Sequence, residues 1–181
     1  MRLIKLMVIS ALFFCCESYA DCSISIRSAA NGISYDFDTL NHILYVEGKG
    51  FDYGSSRLPI DDSLKNLYRK YLLDTRKIVF GKDIEGIADY AYQGLQLEEV
   101  VFTGNSKVIR RAAFADCEKL ESVVLPSKMR SIGDNAFAGC TKLKSVHLPK
   151  TVTSIGAGAF CYCTNLTNVT IGNNVEKIGE S

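Results

Sequence analysis

The chain has 181 residues, 47% of them apolar and 23% charged, with 21 basic against 20 acidic side chains and a net charge of +1. That length allows one domain or one short repeat array with a sizeable core, and the composition is ordinary for a folded soluble protein. A balance so close to neutral supplies no long-range field for nucleic acid or anionic lipid, so nucleic-acid binding is excluded as a first reading.

In chain order, residues 1–20 come first. Arg2 and Lys5 precede an apolar run from Leu6 to Cys16, and Ser18 and Ala20 are small residues at the −3 and −1 positions of a cleavage site. This pattern predicts a secretory signal peptide cleaved after Ala20. The run is too short to cross a bilayer, which needs about 20 apolar residues, so no transmembrane segment is expected in the mature chain. Loss of Arg2, Lys5 and Glu17 leaves equal numbers of acids and bases, and loss of Cys15 and Cys16 leaves an odd set of cysteines.

Residues 21–77 do not repeat. "GISYDFDTLNHILYVEGKG" alternates on both sides of Asp38 to Asn41 and predicts a β-hairpin. After Pro59, Ile60, Leu64, Leu67, Tyr68, Tyr71 and Leu72 fall on one helical face, with Asp61 or Asp62 as N-cap. Hairpin and helix together predict an N-terminal cap. Gly48, Gly50 and Gly54 have the spacing G-x-G-x-x-x-G and follow a hairpin, which favours turns over a dinucleotide loop.

Residues 78–181 repeat with a period of 23. "IRRAAFADCEKLESVVLP" from Ile109 and "IGDNAFAGCTKLKSVHLP" from Ile132 share one apolar skeleton. Ile109, Ile132, Ile155 and Ile178 are in one phase, as are Phe114, Phe137 and Phe160, then Leu120, Leu143 and Leu166, then Val123, Val146 and Val169. A fixed period with apolar residues at fixed phase predicts a solenoid whose coils stack their cores. A degenerate unit from Ile87 through Tyr92, Leu97 and Val100 precedes these, after the Ile78-Val79-Phe80 strand, and the final unit is incomplete. Within each unit "SVVLP" or "SVHLP" alternates as a strand ended by Pro126 or Pro149. A short second strand follows, and then "DNAFAGC" predicts a brief helical turn with Asp134 near its N-cap. The expected fold class is an α+β repeat solenoid.

The pattern I-x-x-x-A-F-x-x-C-x-x-L-x-x-V-x-L-P resembles the BspA-like leucine-rich repeats of bacterial and protozoan surface proteins. The first unit departs from it, with Tyr92 at the aromatic position and Leu95 at that of the cysteine. The resemblance implies a leucine-rich repeat array behind a cap, and adhesion to a protein or host-matrix macromolecule as its usual role.

Cys117, Cys140 and Cys163 recur on the repeat's beat and are expected to be reduced, buried hydrophobes, on the argument that packed helices lie about 8–10 Å apart, too far for a disulfide. Cys22 and Cys161 stay open. His42 and His147 are the two histidines, and the chain lacks H-E-x-x-H, G-x-S-x-G and any metal-ligand spacing of cysteines, so no enzyme, metal or cofactor is expected. Asn165 and Asn168 head sequons that matter only in a eukaryotic secretory pathway. The expected function is an exported or cell-surface recognition module for protein binding or adhesion. The alternatives are the noncatalytic part of a longer exported enzyme and a structural coat protein. Its binding face is expected on two outward rows of strand residues: Val79, Val101, Val124, His147 and Thr170, beside Lys77, Glu99, Ser122, Ser145 and Asn168.

Overall fold

The computed structural model describes residues 4–8, 11–15, 23–27, 32–52, 54 and 62–180. The cleavage position at Ala20, Cys22, Ile60 and the side chains of Leu64 and Leu67 lie outside the described residues.

Three short strands, β1 (Ile4–Val8), β2 (Ala11–Cys15) and β3 (Ser23–Arg27), are paired antiparallel at one edge of a sheet, so the apolar run read as a leader is extended here. The hairpin follows as expected, with β4 (Ser34–Asp38) against β5 (Ile43–Glu47). Asp38 fixes its turn by accepting the amides of Leu40 at 3.1 Å and Asn41 at 3.0 Å, the local bond that suits aspartate to turns.

From β5 onward the chain winds in successive coils whose strands pair in parallel rather than folding back on itself. β5 pairs in parallel with β7 (Lys77–Phe80), then β9 (Glu99–Phe102) and β11 (Ser122–Val124), forming the first sheet. A second, wholly parallel sheet carries β6 (Gly50–Asp52), β8 (Ile84–Ile87), β10 (Val108–Ile109), β12 (Ser131–Ile132), β14 (Ser154–Ile155) and β16 (Lys177–Ile178). β13 (Ser145–His147) and β15 (Asn168–Thr170) pair with each other as a separate ladder beyond β11. The first sheet is thus interrupted between β11 and β13, while the second runs on from β10 through β12 to β14.

The coil geometry begins earlier than the sequence repeat, because β5 and β6 already occupy the two strand positions of a coil. What differs is the return path. Helix α1 (Asp62–Asp74) stands where later coils have a turn, and it packs Tyr68 edge-on against Tyr35 at 5.3 Å and Phe37 at 5.5 Å. Thr75 closes the helix, its hydroxyl donating to the Tyr71 carbonyl at 2.9 Å. His42 and Asp74, 3.0 Å apart, tie the hairpin to the helix end.

The segment expected to be a helical turn is not helical. Asn135 (φ 53°) and Gly139 (φ 72°) adopt left-handed backbone at its two ends, leaving Ala136 to Ala138 too short to propagate a helix. Alternate amides point to the next coil instead: Asn135, Phe137 and Gly139 donate to the carbonyls of Ala157, Ala159 and Cys161 at 2.8, 2.9 and 2.8 Å. The same bonds join Ala112, Phe114 and Asp116 to Asp134, Ala136 and Ala138, so a third backbone ladder runs along this side. Asp134 is not the cap of its own turn either; its Oδ1 accepts the Ala157 amide of the following coil at 2.9 Å.

Between the three ladders the inward residues form one continuous core, in which Ile109, Phe114, Cys117, Leu120, Ile132, Phe137, Cys140 and Leu143 are buried. Each such side chain contributes roughly 1.5–3 kcal/mol by leaving water. The aromatic positions stack as a column: Tyr92 on Phe114 at 5.6 Å, Phe114 on Phe137 at 5.4 Å and Phe137 on Phe160 at 5.6 Å. Burial fades in the last coil, where Ile178, in phase with buried Ile132, is 64% exposed.

Candidate interaction surface

On the first sheet, alternation turns Ile78, Phe80, Val100, Phe102 and Val123 inward, and the residues between them outward. The register places Val79 beside Val101, and Val101 beside Val124, so the expected row is continuous across β7, β9 and β11. His147 lies beside Thr170 in the separate β13–β15 ladder, and both are exposed. Val124 is 52% exposed, while Val79 and Val101 are half-buried by their neighbours. The second row also aligns, with Lys77 beside Glu99, Glu99 beside Ser122, and Ser145 beside Asn168.

The sequence reading missed one member. Tyr45 on β5 pairs with Val79, stands 39% exposed, and extends the apolar row into the cap. Its only sequence signal was its outward phase in the hairpin, which no repeat number connects to the coils.

Charged groups frame the row. Lys77 and Glu99 pair across adjacent strands at 2.7 Å. Lys144 reaches Glu121 at 3.0 Å across the interruption between β11 and β13, and its hydrogen bond holds the Glu121 carboxyl below the usual carboxylate range. Both pairs are exposed enough to be screened by solvent, so they set register more than they stabilise.

The cysteine column lies behind this face. Cys117, Cys140, Cys161 and Cys163 are free thiols, and the first two are buried. The distance argument made for them fails, because the turns of successive coils are joined by backbone hydrogen bonds and their rings stack at 5.4–5.6 Å, far closer than packed helices. What holds each thiol is a bond to the preceding coil: Cys117 to the Tyr92 carbonyl at 3.2 Å, Cys140 to Phe114 at 3.3 Å and Cys163 to Phe137 at 3.1 Å. Burial pushes the Cys117 thiol up to about 12. Contact with Cys163, then burial, raises Cys140, while the Cys140 hydrogen bond lowers half-buried Cys163. Among the described residues no group of three or more His, Cys, Asp or Glu side chains is placed to hold a metal ion.

A polar knot joins cap to coils. Asp52, fully buried, accepts the Tyr35 hydroxyl at 2.7 Å, the Tyr92 hydroxyl and the Gly54 amide at 3.0 Å. Burial holds its carboxyl above the usual range, against the lowering effect of those three donors. Of the glycines read as turn residues, Gly48 (φ 126°) sits in a bend and Gly54 (φ 51°) in a turn, while Gly50 (φ 118°) opens strand β6.

Stacked parallel coils with a fixed apolar skeleton and an exposed strand face define a leucine-rich repeat solenoid. The sequence pattern of the BspA type leucine-rich repeat region matches in six copies over residues 65–181, and the chain belongs to that family. Among solved structures it is similar to a leucine-rich repeat protein from Bacteroides ovatus, with 19% identity and a TM-score of 0.60, covering 97% of this chain and 43% of that one. The T. pallidum leucine-rich repeat protein is similar at 21% identity and a TM-score of 0.58, over 84% of this chain and 64% of the other. A leucine-rich cell surface protein from Faecalibacterium prausnitzii gives 18% identity and a TM-score of 0.50, over 99% and 51%. The chain therefore spans from under a half to just under two thirds of these relatives' lengths, and they speak for its fold alone. No curated protein matches the chain.

Proposed function

We propose that this protein is an exported or cell-surface recognition module that binds another protein through its strand face. The observation that carries the reading is the continuous outward row of Tyr45, Val79, Val101 and Val124, continued by His147 and Thr170 and bordered by Lys77, Glu99, Ser122, Ser145 and Asn168. β-branched residues favour strands wherever they sit. A tyrosine at the head of the row adds a ring with a polar tip, the residue type enriched where proteins meet. Side chains of a partner would bury against the apolar row while the polar row fixes their register. Support for export comes from the basic-then-apolar run of residues 1–20, with cleavage after Ala20, and from the family's surface-protein members. In this reading residues 21–77 cap the array and residues 78–181 present the face, with no catalytic step.

The test is a triple variant, Val101→Glu, Val124→Glu and His147→Glu, compared with the parent for binding to surfaces coated with host or matrix proteins. None of the three is a core residue, so the melting temperature is expected to hold within a few degrees. Binding should fall at least tenfold. Full-strength binding by a folded triple variant excludes the strand face.

A further inference from the structure

We infer a second binding site, for an anionic glycan, in the open cleft of about 400 Å³ at the corner between the second sheet and the turn ladder. Asp89, Tyr90, Arg110, Arg111, Ser131 and Asp134 line it. The coil period brings these residues together from three successive turns, so the basic groups that look scattered along the chain become neighbours.

Its polar groups are fixed in place. Asp89 accepts the Arg111 amide at 3.1 Å, and Arg111 Nη2 lies 3.3 Å from Asp134 Oδ2, so a carboxylate, a guanidinium and a carboxylate follow one another from coil to coil. Tyr90 lines the cleft beside Arg111. The Arg110 guanidinium lies over the Phe51 ring, its central carbon 4.5 Å from the centroid. A side chain at Gly86 would collide with Phe51, so the missing Cβ there lets the ring lie across the sheet beneath Arg110. Among the described residues Arg110 has no carboxylate partner, and stacking occupies a face of the guanidinium while its in-plane N–H groups remain donors. Exposed Lys107 and Arg130 immediately precede the cleft residues Val108 and Ser131.

Tyr90 is the unusual wall. It is 46% exposed and holds left-handed backbone at φ 58°, a conformation that costs a bulky residue roughly 1–2 kcal/mol. The matching positions in later coils, Ala112, Asn135 and Gly158, hold the same backbone at φ 49°, 53° and 59°, so what sets this coil apart is the exposed ring itself. An exposed flat ring beside paired donors and acceptors suits a pyranose, whose apolar face stacks on an aromatic ring and whose hydroxyls donate and accept at once. Arg110 and its basic neighbours supply the site for the sugar's carboxylate or sulfate. An acidic peptide carries the same charge but fits less well, because it offers no hydroxyls to the Asp89 and Asp134 carboxylates.

The experiment is titration calorimetry on the full chain with four probes: a hyaluronan hexasaccharide, which carries carboxylates; a heparin-derived hexasaccharide, which carries sulfates as well; neutral maltohexaose; and hexaglutamate. At least one anionic hexasaccharide should bind at least tenfold tighter than both maltohexaose and hexaglutamate, and the better of the two identifies the charged group. Tyr90→Asn, which keeps the left-handed backbone and should melt no lower than the parent, and Arg110→Gln, which should melt within a few degrees of it, should each weaken that binding at least tenfold. Val124→Glu, on the strand face, should leave it unchanged, so loss of this site and loss of protein binding are read separately. The inference is overturned if neither anionic hexasaccharide binds, if hexaglutamate binds equally well, or if both folded variants retain full affinity.

Discussion

Replacing Asp52 tests whether cap and coils are one cooperative unit. In Asp52→Ala the Tyr35 hydroxyl, the Tyr92 hydroxyl and the Gly54 amide all lose the buried carboxyl they donate to. An orphaned buried donor costs roughly 1–3 kcal/mol, and partial relaxation brings the three together to about 3–6 kcal/mol. Against a typical total of about 5–15 kcal/mol, that loss is large. Tyr35→Phe removes one donor, leaves the carboxyl two, and should cost only about 1–2 kcal/mol. Asp52→Asn adds a sign to the test. Burial raises the folded carboxyl above its unfolded value, so the folded state binds the proton more tightly. That contribution is complete below the unfolded value and is lost as pH rises through the folded one. The stability of the parent relative to Asp52→Asn must therefore grow on acidification from neutrality toward the usual carboxylate range. Urea denaturation followed by circular dichroism at several pH values reads both effects. A parent-to-Asn difference that stays flat with pH, or an Asp52→Ala cost no larger than that of Tyr35→Phe, refutes the reasoning.

Gly139 (φ 72°) and Tyr162 (φ 59°) hold the same left-handed corner in successive coils, and a Cβ on Gly139 would meet Asp116 Oδ1 at 2.7 Å. Gly139→Ala should cost about 1–2 kcal/mol and Tyr162→Gly should raise stability by up to about 1 kcal/mol, both measurable as shifts in melting temperature. A thiol reagent at pH 8, followed by peptide mapping, should modify Cys161 and Cys163 well before Cys140 and Cys117, because burial keeps the latter pair protonated and covered. Mass spectrometry of the unreduced protein should find no bond between Cys117, Cys140 and Cys163, and Cys140→Ala should cost about 1–2 kcal/mol. In hydrogen exchange, the amides of Glu176, Lys177 and Gly179, bonded to the coil before but lying in the exposed last turn, should exchange at least a hundredfold faster than those of Arg130 and Gly133.

The periodic parts of this structure were legible because each inward residue appears three or four times at one phase. The strand rows from Val79 to Thr170, the buried cysteines and the hairpin at Asp38 all follow from spacing alone. Features made once were not. Asp52 gathers partners 17 and 40 residues away, and nothing near "FDYG" signals a buried carboxyl. Tyr45 joins the strand face through a pairing that skips the helix between β5 and β7. "NAFAGC" misled for a different reason. Its alanines favour a helix in isolation, but here alternate amides are taken by the next coil, so neighbours rather than propensity set the backbone.

The interruption between β11 and β13 gives the molecule a mechanical asymmetry. On the second sheet and along the turns, hydrogen bonds run through this level without a gap, like a bound spine. On the strand face β11 and β13 share the core through Val123 and Val146 but no backbone ladder, and Lys144 meets Glu121 across the join in a bond that salt weakens. The level between β11 and β13, on the side that carries Val124 and His147, is therefore where the strand face has the least backbone restraint against bending. A partner of the kind proposed, seated across that joint, would meet a surface whose curvature is least fixed near its centre.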